Sequence, residues 1–378
     1  MKDLFPTRDT VICVGPGGVG KTTIAAALGV LGARSGRKTL VCTIDPAPRL
    51  ADALGIANLG PDPQPIAAPM AHALGIVGED RLLAMRVDTE RAFSDLVNEQ
   101  VPDPALRERI LKNRLYGHIA TDLTGSQEYA ATLALHALKA SKQYDLIILD
   151  TPPTANALEF LQAPERIAAA ISSPAIRWFS KPDPTEGRFS LGRLGMGGAL
   201  LLRRAAKLMG SQFLDNLADF LLDIRGVLDG FLTRAKAIEN ELRQPNVGFV
   251  LVLTAEVAAV NEALFFAEKL KEAGNSLCKI IVNRVLPSIH ASSEERLLAE
   301  LASLSGFGKV SPQEQQNAAR VLSSLSDYLS RIAISQQNEI SRLHARAGKI
   351  PITTVPLLPH DVSNLASLKA VADQLERA

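Results

Sequence analysis

The 378-residue chain is 47% hydrophobic and balances 41 basic against 40 acidic residues, so it can bury a large core and has no charge excess to draw it to nucleic acid or an anionic membrane. The first ten residues lack the charged and apolar parts of a secretory signal, and no apolar run approaches the ~18 residues of a membrane-crossing helix, so a cytoplasmic location is expected. Cys13, Cys42 and Cys278 lie far apart in apolar runs with no CxxC pair, and the histidines show no HxxxH or HExxH spacing; buried thiols are expected and zinc is not.

Thr10-Val11-Ile12-Cys13-Val14 is β-branched and strand-like, and Gly15-Pro16-Gly17-Gly18-Val19-Gly20-Lys21-Thr22-Thr23 follows it. That turn contains GxxxxGK[ST], a P-loop, and it opens a helix expected to run from Thr22 to about Arg34. Glycines let consecutive backbone N–H groups turn inward around a phosphate chain, and the helix adds the positive end of its dipole. Gly17, Gly18, Val19, Gly20 and Thr23 are therefore expected to line bound phosphates, Lys21 to reach the β- and γ-phosphates, and the Thr22 hydroxyl to ligate Mg²⁺ directly.

Lys38 to Asp45 reads as a buried strand with an acid at its carboxyl end, the edge where open parallel sheets bind ligands. Gly60 to Pro69 reads as a surface loop, Leu82 to Asp88 as a strand, and the stretch to about Lys142 as helical, including one helix opened by Gly125-Ser126-Gln127-Glu128-Tyr129. Tyr144-Asp145-Leu146-Ile147-Ile148-Leu149-Asp150 is an apolar run ending in aspartate, the Walker-B pattern, so Asp150 is expected to hold Mg²⁺ through water. Thr151-Pro152-Pro153-Thr154 must leave the strand, because proline cannot donate to a ladder.

Ser172 to Gly198 is proline- and glycine-rich and reads as a mobile loop. Leu214, Leu217, Leu221, Ile224, Leu228, Phe231, Ala235, Ile238 and Leu242 then repeat at 3,4 spacing, which predicts one long amphipathic helix. Its apolar face either packs on neighbouring helices or offers a surface to a partner helix. Val247–Thr254 and Lys279–Val285 read as buried strands around a helix from about Ala259 to Ala273. Ser292-Ser293-Glu294-Glu295 and Ser311-Pro312-Gln313-Glu314 fit capping boxes, opening helices that stop near Gly306 and Gly348. Ile352–Pro356 is a last strand and Ser363 to Arg377 a closing helix. The alternation predicts an α/β P-loop NTPase fold, a mostly parallel sheet covered by helices on both faces.

Five ordered motifs resemble the ArsA family, the ATPases of arsenite pumps and of tail-anchored membrane-protein targeting: Gly17 to Thr23, Thr43-Ile44-Asp45-Pro46-Ala47, Gly125 to Tyr129, Asp150 to Thr154, and Val282-Asn283-Arg284. The resemblance reaches Val355-Pro356-Leu357 and implies one ArsA-type unit across residues 1–378, with a helical subdomain from insertions at about 90–142, 155–245 and 288–348. It implies an ATP hydrolase of the deviant P-loop class in which Asp45 orients the attacking water and, with Asp150, contacts Mg²⁺ through water. It also implies that Asn283 reads adenine, that Pro356 and Leu357 line the base pocket, and that Asp150 to Thr154 senses the γ-phosphate.

By the same resemblance the protein is a homodimer, uses ATP and Mg²⁺, and couples hydrolysis to movement of helices that bind a hydrophobic protein segment or a membrane-protein partner. The alternatives are an energy-coupling subunit for arsenite or another anion, a membrane-patterning or partitioning ATPase, and a nucleotide-binding scaffold. Two departures stand out. Pro16 occupies the place of the family's lysine that crosses the dimer, with Arg49 the candidate substitute, and residues 286–348 lack the CxxC zinc pair of eukaryotic targeting members.

Overall fold

The computed structural model describes residues 5–113, 116, 126–151, 158–172, 220, 223–224, 228–288, 292–303, 310–362 and 364–377. The strands are β1 (Thr10–Val14), β2 (Thr39–Thr43), β3 (Gln64–Pro65), β4 (Leu82–Arg86), β5 (Leu146–Asp150), β6 (Val247–Thr254), β7 (Leu277–Val285) and β8 (Ile352–Pro356). They form one sheet in the order β3-β4-β2-β5-β1-β6-β7-β8. Every pairing is parallel except β3 with β4, where Gln64 lies opposite Ala84. The segment expected to be a plain loop from Gly60 to Pro69 thus contributes a two-residue antiparallel edge strand.

The helices are α1 (Lys21–Arg34), α2 (Arg49–Leu54), α3 (Ala68–Ala73), α4 (Thr89–Gln100), α5 (Pro104–Lys112), α6 (Ser126–Ser141), α7 (Leu158–Ile171), α8 (Leu228–Leu242), α9 (Val257–Glu272), α10 (Glu294–Ala302), α11 (Pro312–Ala347) and α12 (Leu365–Arg377). They cover both faces of the sheet, and the period of two along each strand divides the core accordingly. Ile12, Val14, Leu40, Cys42, Ile147 and Leu149 face the core shared with α4, α6, α8, α9 and the end of α11. Val11, Cys13, Val41, Leu146, Ile148 and Ile281 face the core shared with α1, α2 and α12. By that parity Thr43, Asp150 and Asn283 all belong to the α1 face, and this places the site.

The apolar stripe of α8 is buried: Phe231, Ala235, Ile238 and Leu242 all pack in the first of these cores, as do Phe220 and Ile224. This part of the predicted long helix packs within the chain and offers no open face. The remainder of that helix, Gly125, Pro152-Pro153-Thr154 and the Gly/Pro-rich segment after Ser172 lie outside the described residues.

The two caps differ. Ser311 accepts from Glu314 N–H at 3.4 Å while the Glu314 carboxylate accepts from Ser311 N–H at 3.1 Å, with Pro312 at the first helical position, so that capping box forms as read. At α10 the cap is Ser293, which accepts from Arg296 N–H at 3.3 Å. The predicted box from Ser292 to Glu295 is therefore one residue out of register, and Ser292 turns to α11, its carbonyl accepting from Ser323 Oγ at 2.9 Å. Ser311→Ala should lower stability by about 1 kcal/mol, read as a lower denaturant midpoint with an unchanged slope.

Candidate active site

The carboxyl ends of β1, β2, β5 and β7 meet at one sheet edge, where the chain leaves each strand towards a ligand-sized crevice. A cleft of about 450 Å³ opens there, lined by Gly18, Gly20, Lys21, Thr22, Thr23, Asp45 and Arg49 on one side and by Asn283, Arg284, Pro356, Leu357 and His360 on the other. Residues separated by more than 300 positions are thus brought together. Of the residues expected at a nucleotide site, Gly18, Gly20, Lys21, Thr22, Thr23, Asp45, Asn283, Pro356 and Leu357 line this cleft, and Gly17, Val19 and Asp150 are not among its lining residues.

The register explains the central cluster. Asp150 lies beside Cys13 of β1 and Thr43 of β2, with its side chain on the α1 face. Thr22 Oγ1 donates to Asp150 Oδ2 at 2.7 Å and Thr43 Oγ1 to the same oxygen at 3.0 Å. The other oxygen, Oδ1, is buried and has no hydrogen-bond partner among the described residues. Burial drives the Asp150 carboxyl up from 3.8 to about 6, against the two hydroxyl donors and the charge of Lys21, which act to lower it. Thr151 fixes the strand end by donating from its hydroxyl to Cys13 O at 2.8 Å.

Gly20 caps α1 in the left-handed region, φ 92, and a Cβ there would lie 2.4 Å from Asn283 Nδ2. At Gly15 a Cβ would lie 2.0 Å from the Val252 carbonyl oxygen, which is backbone and cannot swing aside. Gly15→Ala should therefore destabilise the nucleotide-free protein by roughly 3 kcal/mol, checked by denaturant unfolding. Lys21 folds over the loop, Nζ donating to Gly15 O at 2.9 Å and Pro16 O at 2.8 Å, and its burial lowers the ammonium pKa.

Asp45 sits beyond the end of β2 with Oδ1 accepting from Ala47 N–H at 2.9 Å and Oδ2 3.6 Å from Arg49 Nη1. Arg49 itself is 64% exposed at the mouth of the cleft. Asn283 is buried, donates from Nδ2 to Val19 O at 2.8 Å and accepts from Arg284 N–H at 3.0 Å. Sequence reasoning missed two participants. Thr43 and Arg284 were named only as members of motifs and given no role in the site, where Thr43 Oγ1 donates to Asp150 and Arg284 Nη1 donates to Gly18 O at 3.1 Å.

Cys13 and Cys42 are buried in β1 and β2 as expected, whereas Cys278 is half-buried and donates to Phe249 O at 3.0 Å. No cluster of three or more His, Cys, Asp or Glu suited to a metal occurs among the described residues.

This loop, with its lysine, threonine and strand-end aspartate, agrees with comparison to known proteins: residues 8–176 match the family described as anion-transporting ATPase, ArsA_ATPase. Residues 8–176 are thus similar to that family. An uncharacterized protein of Streptomyces coelicolor is 33% identical, over 43% of the chain and 38% of its own length. A Halobacterium salinarum protein that bears the name of an arsenical pump-driving ATPase is 30% identical, over 43% of the chain and 25% of its own length. The ATPase get3 of Neurospora crassa is 26% identical over 72% of the chain and 71% of its own length. The chain thus spans well under half of the first two relatives. No helix among the described residues is long and apolar enough to cross a membrane.

Proposed function

We propose that this chain is a Mg²⁺-dependent ATP hydrolase that couples turnover to movement of its helices, and that it binds or targets a hydrophobic protein segment as a homodimer. The observation that carries the hydrolase reading is Asp150, a buried carboxylate that takes two hydroxyl donors on one oxygen and keeps the other free of protein partners among the described residues. A hydrated divalent cation suits that oxygen. The donor set is hard oxygen throughout, which fits Mg²⁺.

In this reading Thr22 donates its proton to Asp150, so a hydroxyl lone pair remains for the metal. Asp45 and Asp150 would hold the metal's water shell. Bound Mg²⁺ would supply neutralisation of charge on the phosphate oxygens. Gly17, Gly18, Val19, Gly20 and Thr23 cradle phosphates with their N–H groups, Lys21 leaves the loop carbonyls for the β- and γ-phosphates, and Asp45 orients water. Asn283, Pro356 and Leu357 bound the base end of the cleft. The segment from Asp150 to Thr154 would sense the γ-phosphate.

The segment-binding part rests on the sequence motifs and on the similarity to a protein named ATPase get3. The apolar face of α8 packs inside the core and is not open to such a segment. The test is to co-express the hydrolysis-deficient protein with transmembrane segments and ask whether soluble complexes form. Working ATPase activity with no complex for any segment would end that part. ATPase activity stimulated by arsenite, and lost when Cys13, Cys42 and Cys278 are replaced, would favour anion-transport coupling instead.

A further inference from the structure

The ladder between β7 and β8 slips at the mouth of the cleft. Val282 pairs with Thr354 and Val285 with Pro356, so β7 spends three steps where β8 spends two. The extra residue makes a bulge, and bulges redirect side chains. Arg284 takes the left-handed backbone region there, φ 58, which is unfavourable for any residue but glycine and needs surrounding structure to hold it. Asn283 locks the kink by accepting from the Arg284 N–H at 3.0 Å. Two consecutive side chains, which would project to opposite faces of a regular strand, now both reach the P-loop. Asn283 Nδ2 donates to Val19 O at 2.8 Å and Arg284 Nη1 to Gly18 O at 3.1 Å.

We infer that Asn283 and Arg284 form a clamp that presets the P-loop for polyphosphate by holding the carbonyls of Gly18 and Val19 to the β7 side. A trans peptide is planar, so its C=O and the next N–H point in opposite directions. Fixing Gly18 O therefore turns Val19 N–H away from β7, and fixing Val19 O does the same to Gly20 N–H. Convergent N–H groups bind anions best when they need not reorganise. The clamp also accounts for glycine at position 20, because any Cβ would strike the Asn283 amide. Both residues are positioning residues in this role, and the role rests on the nucleotide-site reading above.

The role separates from base recognition by ligand choice. Affinities for ATP, GTP and inorganic tripolyphosphate, each with Mg²⁺, are measured on the wild-type chain and on Asn283→Ala, Arg284→Ala and Arg284→Lys. The clamp predicts that Asn283→Ala and Arg284→Ala weaken ATP and tripolyphosphate together, by about 10-fold, with the ATP to GTP ratio unchanged in Arg284→Ala and with Arg284→Lys recovering most of the loss. It also predicts faster amide hydrogen exchange confined to the P-loop in nucleotide-free Arg284→Ala, a readout independent of ligand and of any direct charge on phosphate. Loss of ATP affinity with unchanged tripolyphosphate affinity would overturn the clamp in favour of base contact. Unchanged affinities or unchanged exchange would overturn it outright. A wild-type chain that binds neither ATP nor tripolyphosphate would overturn the nucleotide-site reading itself.

Discussion

Asp45→Asn should bind ATP with near wild-type affinity and hydrolyse it at least about 100-fold more slowly. The amide keeps an oxygen where Oδ1 accepts from Ala47 N–H, so the turn after β2 retains its shape. What disappears is the negative charge at the mouth of the cleft, which is the only thing that lets this side chain accept a proton from, or polarise, an attacking water. The neighbouring Arg49 Nη1, 3.6 Å from Oδ2, loses its ion pair and becomes freer, an exposed contact whose loss costs little stability. Binding is read by calorimetry and turnover by phosphate release under saturating ATP. Turnover at the wild-type rate would remove Asp45 from the chemistry.

Asp150→Asn should separate stability from function. The wild-type carboxyl is raised from 3.8 to about 6, chiefly by burial. At 1.36 kcal/mol per pH unit this is a penalty on the order of 3 kcal/mol for keeping the ion buried at pH 7. The sign follows from proton counting. The folded state binds the proton more tightly than the unfolded one, so stability falls as pH rises from about 4 to 6 and stays low above that. A neutral amide escapes the penalty but leaves an NH₂ without an acceptor, which takes back part of the gain.

The nucleotide-free variant should therefore be about 1–2 kcal/mol more stable than wild type at pH 7.5, with the advantage vanishing near pH 4. Denaturant melts across that range check it. The same variant should lose most of the Mg²⁺-dependent tightening of ATP binding, because the oxygen offered to the metal's water shell is no longer charged. A variant that is less stable at pH 7.5, or that keeps its Mg²⁺ dependence, would contradict the role given to Asp150.

The legible part of the site came from residues whose chemistry and neighbours are local in sequence. Strand, glycine turn, Lys21 and Thr22 are contiguous, and Asp150 ends a run whose apolar character is unmistakable. The strands of the parallel sheet were legible for the same reason, since burial on both faces leaves them uninterrupted. Arg284 was hidden because its contribution depends on a register slip against β8, about 70 residues away in sequence, and arginine gives no local hint of positive φ. The choice between Ser292 and Ser293 as the cap of α10 turned on a contact with α11 that local spacing cannot express. The α8 stripe had two readings with one periodicity, and only packing separates them.

The margin of the sheet formed by β3 sets how copies of this chain can meet. An open strand edge invites another strand to join it, which is the first step of polymerisation in many β-rich proteins. Here the outermost strand is two residues long, and Pro65 has no hydrogen to donate to an incoming chain. A newcomer finds too little backbone to align with, so growth of the sheet from one molecule into the next is barred along this side.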